Sequence, residues 1–192
     1  IRIDASDVQV DLETSDVDLA LRYAMPAGAT QGGIRLFGEQ LAVVASPWLL
    51  KSGKPLRTPS DVAQFTLIEA GDAHRTHYLE YLSWRRWFDT RDLTKLQPQR
   101  WLYFNYAHQI VQAALAGQGL ALARMPLIAD ALAAGDLVEV LPGHRIDSPL
   151  AYWLMVGPRS AQRPEIKAFC AWLQVQAGAT RQAIGDVPDP DL

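Results

Sequence analysis

The chain has 192 residues, about half of them hydrophobic (49%), enough to bury a sizeable core in one domain or two small lobes. Its formal net charge is −3, from 18 basic and 21 acidic side chains. The densest basic spot, "WRRWF" at 84–88, holds only Arg85 and Arg86, so the clustered basic patch of a phosphate-backbone binder is missing. The single cysteine, Cys170, excludes an internal disulfide and any zinc site built on several cysteines, and suggests a reducing compartment. No run approaches the ~18 apolar residues of a membrane span. No signal peptide is visible, and a chain opening on Ile-Arg-Ile reads as a piece of a longer protein.

Residues 1–5, "IRIDA", alternate like a strand, and Val8 to Thr14 read as a short helix. "VDLALRY" is the next strand, and "AMPAGATQGG" a loop. "EQLAVVAS" is almost continuously apolar, as expected of a strand covered on both faces. Pro47 suits a helix start, Thr58-Pro59 a second turn or short helix, and "TLIEAG" a short strand. "HYLEYLSWRRWFDT" places Leu79, Leu82, Trp87 and Phe88 at helical spacing.

"RWLYF" is a strand followed by the helix "NYAHQIVQAALAG", with Asn105 as N-cap and Gly117 just past its end. "LALAR", a helix from "MPLIADALAAG" and the strand "LVEVL" repeat that grammar. "PLAYWLMVG" is a further strand. Pro164 begins a last helix with the inward stripe Ile166, Phe169, Cys170 and Leu173, and "GDVPDPDL" is an acidic tail. Alternating strands and helices predict an α/β fold with mostly parallel sheets.

Few residues point to catalysis. The G-x-G of "AGQGLA" follows a helix and leads into a strand, the reverse of a phosphate cradle, so it reads as a cap and turn. His74 and His77 could share a helical face and hold a metal, but no third ligand is evident, and a solvated loop pair is the better reading. Cys170 reads as a small core hydrophobe. No catalytic residue, metal site or cofactor is therefore assigned.

A binding function is better supported. In open α/β sheets ligands settle beyond the carboxyl ends of parallel strands. The residues there are Ser6, Arg22, Tyr23, Ser46, Glu69 to Gly71, Asn105 and Tyr106. Asn105 and Tyr106 also open a helix, whose N–H groups favour an anion. Arg22 offers a fork for a carboxylate, and equally a salt bridge to Asp16, Asp18 or another local carboxylate. A small anionic or zwitterionic ligand follows.

Taken together, "DVDLALRY", "LFGEQLAVVASPWLL", "LRTPSDVAQFTLI", "AHQIVQAALAGQGLALARMPLIADALAAGDLVEVL" and "LAYWLMVGPRSAQRPEIKAFCAWL" resemble, in order and spacing, the effector-binding domain of LysR-type transcriptional regulators. The likeness is greatest to the subgroup around the glycine-cleavage activator. It implies a two-lobed fold like type 2 periplasmic binding proteins, with lobes joined by two crossover strands near 42–46 and 141–149. Lobe I would be 1–44 with 146–192, its first strand and helix missing, and lobe II 45–145.

The resemblance further implies an effector in the inter-lobe cleft, with Ser6, Arg22, Ser46, Glu69, Ala70, Asn105 and Tyr106 at pocket-lining positions and Tyr23 beside them. It also implies a cytoplasmic homodimer or tetramer. Promoter DNA would be bound only through a winged helix-turn-helix absent from this chain, and no membrane is involved. The alternative is a periplasmic or extracellular solute-binding protein of the same fold.

Overall fold

The computed structural model describes residues 1–6, 8–29, 32–52, 55–71 and 79–186. The His74 and His77 pair lies outside them. The chain divides into two compact units, Ile1–Gly38 with Leu150–Leu192, and Glu39–Pro149. Two strands pass from one unit into the other: β2 (Ile34–Ala45) and β7 (Ile146–Val156).

In the first unit β1 (Leu19–Ala24) pairs antiparallel with β7, Leu19 opposite Val156 and Ala24 opposite Ala151, and β7 is followed in the sheet by β2. Helix α5 (Pro164–Ile184) ends on Gly185, whose φ of 73° is the left-handed conformation glycine adopts without strain. Its inner stripe buries Ile166, Ala177 and Ile184, and Cys170 and Leu173 pack with the Leu36–Leu154–Ala177 cluster. Burial pushes the Cys170 thiol pKa up, which disfavours its thiolate.

The first fourteen residues differ from expectation. Residues 1–6 join no strand, and Ile1 and Ile3 are exposed. "IRIDA" carries the right alternation, but a strand is stable only where a neighbour takes its backbone N–H and C=O groups. Val8 to Thr14 form no helix, only a turn at Leu12–Thr14. Asp11 supplies the reason: its carboxylate accepts from the Glu13 N–H at 2.8 Å and the Thr14 hydroxyl at 2.8 Å. Such a local turn competes with a helix too short to stand alone.

The second unit is built on the order β2-β5-β3-β4, with β6 (Val138–Glu139) on the other edge of β2. β3 (Thr66–Ala70) runs parallel to both β4 (Arg100–Phe104) and β5 (Leu120–Arg124). β2 is antiparallel to β5 and β6. The sheet is therefore mixed rather than mostly parallel. Helical crossovers make the parallel pairs, while the antiparallel ones involve the strands that pass between units. "LVEVL" shrinks to a two-residue bridge.

The core joins Leu41, Val43, Leu67, Leu120 and Leu122 of the sheet with Val62, Phe65, Trp84, Trp87 and Phe88. Helix α1 (Pro47–Ser52) and the 3-10 turn Pro59–Gln64 begin where the prolines predict. The helix expected over 77–90 is broken instead. A 3-10 turn spans Leu79–Leu82, and Ser83 then caps α2 (Trp84–Asp89), its Oγ accepting from Arg86 N at 3.2 Å. The break turns both tryptophans fully inward, 5.3 Å apart and edge to face. Helices α3 (Ala107–Leu115) and α4 (Met125–Ala134) follow β4 and β5, and Tyr106 rather than Asn105 occupies the N-cap position of α3.

Candidate functional site

The carboxyl ends of β3, β4 and β5 define one end of the second unit. Ala70 stands opposite Phe104, and the next rung continues through Gly71 N–H to the Phe104 carbonyl at 2.8 Å. Ile68 pairs with Ala121, so the same register brings Gly71 level with Arg124, which stands opposite Leu41 of β2. Ala70, Gly71, Asn105 and Tyr106 are therefore neighbours at this end. Asn105 and Tyr106 lead into α3, where the Tyr106 N–H donates to Gln109 Oε1 at 3.3 Å and the Gln109 and Ile110 N–H groups to the Tyr106 carbonyl, which leaves the N–H groups of Ala107 and His108 in the first turn for a ligand.

There is room at Gly71, where even a small side chain would make only ordinary contacts. A Cβ there would stand 3.4 Å from Tyr103 Cβ and 3.9 Å from Asn105 Oδ1. Tyr103 and Tyr106 are each about half exposed, 55% and 51%. The Tyr106 ring stacks on His108 with centroids 5.6 Å apart, and Tyr103 on Trp101 at 5.9 Å. The result is a polar, aromatic rim around a helix N-terminus, suited to a small ligand with a negative group.

Glu69 is engaged elsewhere. Its Oε1 accepts from the backbone N–H of Trp84 at 2.8 Å and so anchors the start of α2. Removing that acceptor should cost about 1–2 kcal/mol, the usual range for a charged acceptor on a helix-terminal N–H. Urea unfolding of Glu69→Ala, with Glu69→Gln as the conservative control, measures it.

Ser46 is not brought to this end. β2 runs against β5, with Val44 opposite Ala121, so Ser46 lies near the amino ends of β3 and β5, about 13 Å along the strands from Ala70. It is buried, its Oγ accepts from Leu49 N at 3.2 Å, and a Cβ on Gly117 would stand 3.2 Å from that oxygen. The hydroxyl serves the first turn of α1.

A pair that the sequence reading passed over stands at this end instead. Arg124 grips Glu39 with two bonds, Nε to Oε1 at 2.6 Å and Nη2 to Oε2 at 2.9 Å. The Glu39 side chain is 0% exposed and that of Arg124 17%. The available signal was a lone glutamate opening an apolar strand, "EQLAVVA", matched by an arginine closing another, "LALAR". A charge on a buried strand calls for a partner.

In the first unit Arg22 is the fourth residue of β1, opposite Trp153, and half-buried. Its Nη2 donates to the Val10 carbonyl at 2.5 Å. Asp18 pairs with Arg163 at 2.8 Å instead, so the expected local salt bridge to Asp18 goes to another arginine. Nearby, the Asp11 carboxyl is held below its usual range, first by the Glu13 N–H, then by the Thr14 hydroxyl, with the Arg22 charge adding to them. Tyr23 points to the other face of the strand, its ring 5.0 Å from Tyr152. Ser6 is exposed, and its Oγ accepts only locally, from Val8 N at 3.1 Å.

Among the described residues no group of three or more His, Cys, Asp or Glu side chains could hold a metal, and no helix is long and apolar enough to cross a membrane.

The family model for the LysR substrate binding domain matches residues 1–178. The chain belongs to this LysR family. The LysR domain is 32% identical over 182 residues to the glycine cleavage system transcriptional activator of Escherichia coli K12, covering 95% of this chain and 57% of that protein. It is 26% identical to the transcriptional activator AmpR of Pseudomonas aeruginosa, over 90% of this chain and 54% of that one. This LysR domain thus spans a little over half the length of these relatives. The effector domain of P. aeruginosa AmpR superposes with a TM-score of 0.63 at 24% identity, covering 92% of this chain and 79% of that one. The regulatory domain of CrgA, a LysR-type regulator of Neisseria meningitidis, gives 0.62 at 17% identity, over 84% and 76%. These neighbours establish the two-lobed, periplasmic-binding-protein-like α/β fold.

Proposed function

We propose that this chain is the effector-sensing part of a DNA-binding transcription regulator and that it binds a small anionic or zwitterionic ligand. The observation that carries the ligand class is the cluster of Ala70, Gly71, Asn105 and Tyr106 at the head of α3, where backbone N–H groups meet an open, aromatic-rimmed position. Arg22 is the second contributor, since one backbone carbonyl uses only one of the five N–H donors of its guanidinium. That both lobes share the ligand across a cleft is part of this proposal, supported by the likeness to LysR effector domains.

Binding rather than turnover is the function. The ligand favours one arrangement of the effector domains, and the coupling to DNA, carried by a winged helix-turn-helix elsewhere in a cytoplasmic dimer or tetramer, would be on the order of 1–3 kcal/mol.

Thermal-shift screening with small carboxylates and amino acids tests this. A true ligand at about 100 times its Kd should add about 2.7 kcal/mol to wild-type stability. Arg22→Ala and Asn105→Ala should each abolish that shift. A ligand that stabilises Arg22→Ala as well as wild type removes Arg22 from the site, and one indifferent to both Asn105→Ala and Tyr106→Ala removes the α3 site.

A further inference from the structure

β2 leaves the first unit between Gly38 and Glu39, and a bidentate ion pair grips it on each side of that peptide. On the first-unit side Arg35 holds Asp186 through both guanidinium nitrogens at 3.1 Å, and Asp186 Oδ2 also accepts the Gly38 N–H at 2.8 Å. Arg181, from the last turn of α5, donates to the Leu36 carbonyl. β2 pairs with β5 over Leu41–Val44 and is also a neighbour of β7. The C-terminal end of α5 therefore does for Leu36 and Gly38 what a neighbouring strand does for Leu41 to Val44. On the second-unit side Glu39 is locked to Arg124.

Gly38 is required by this arrangement. A Cβ there would stand 2.4 Å from Arg35 Nη2 and 3.2 Å from Asp186 Oδ1. The other passing strand, β7, crosses between Pro149 and Leu150, where proline has no N–H to give a ladder. Both crossings thus fall at residues that give no N–H to a strand ladder, Gly38 because its N–H goes to Asp186 and Pro149 because it has none.

We propose that the two ion pairs form a double clasp confining the flexible point of β2 to the Gly38–Glu39 peptide, with Asp186 the residue that closes it on the first-unit side. Asp186 is a positioning residue: it fixes the direction in which β2 leaves the first unit, independently of any ligand. Arg124, the anchor of the second clasp, lies level with Gly71, so the second clasp and the candidate site share one end of the β3–β5 strands.

Hydrogen exchange by mass spectrometry on the whole chain tests the clasp. In Asp186→Ala, exchange at the Phe37–Glu39 amides should rise at least tenfold, while the amides of β1 and of Ala42–Ala45 keep their wild-type rates. Gly38→Ala, which displaces the Arg35 side chain without removing a charge, should do the same. Asp186→Asn, which retains an acceptor for Gly38 but loses the ion pair, should fall between and serves if the alanine variants do not fold. Unchanged exchange at 37–39 in folded variants overturns the clasp. A rise that spreads equally through β1 and Ala42–Ala45 overturns the confinement and leaves Asp186 as a general stabiliser.

Discussion

Arg124→Ala should destabilise the protein by about 3–5 kcal/mol, a large part of the 5–15 kcal/mol that holds a typical domain together. The cause is the carboxylate left behind more than the contact removed. Glu39 is enclosed, with a fully covered side chain, and both of its oxygens are bonded to the Arg124 fork. Without the arginine that charge stays buried with its strongest partner gone. The paired replacement Glu39→Leu with Arg124→Met should recover most of the loss, because an apolar pair of similar volume avoids the desolvation cost altogether. Urea unfolding of the three variants gives the comparison. A cost below about 1 kcal/mol for Arg124→Ala would mean that the pair behaves as a solvated surface bridge.

Trp84→Ala should cost a similar amount, about 3–5 kcal/mol, by opening a cavity in the core of the second unit. The indole is fully buried, packs edge to face on Trp87 and lies 5.8 Å from Phe88. Its Nε1 donates to the Ile68 carbonyl at 3.0 Å, while its backbone N–H is the one Glu69 accepts. One residue thus ties α2 to the last turns of β3, immediately before Ala70 and Gly71. Trp84→Phe keeps most of the volume but removes the indole bond to the Ile68 carbonyl, so about 1 kcal/mol should separate it from wild type. Denaturant midpoints order the three proteins. The ligand-induced thermal shift should weaken in Trp84→Phe while remaining measurable, because the strand end loosens but every proposed contact residue is present.

Much of the fold was legible because local signals agreed with it. Pro47, Pro59 and Pro164 begin helical turns, Gly117 and Gly135 stop α3 and α4, and the apolar runs at 41–45, 67–68 and 120–123 are buried strands. Local signals misled where a partner decided the outcome. "IRIDA" has strand alternation and no strand to pair with. The helical spacing across "HYLEYLSWRRWFDT" hid Ser83, whose hydroxyl restarts the helix so that Trp84 and Trp87 both face the core.

The same division runs through the candidate site. Ala70, Asn105 and Tyr106 were readable as ends of parallel strands, and the register sets them side by side. Ser46 looked equivalent because it too ends a strand, but β2 runs the opposite way. Glu69 looked available, whereas a helix 15 residues further on takes its carboxylate. Arg22 and Tyr23, adjacent in sequence, face opposite sides of β1.

The sequence by itself determined the family, the alternation of strands and helices, and which strand ends carry polar groups, because these depend on residues close together in the chain. Tertiary structure alone decided strand direction, the pairing of Glu39 with Arg124 and of Arg35 with Asp186, and which polar groups remain for a ligand. Those partners are 85 and 151 residues apart, and no local preference encodes a contact made only when the sheet closes.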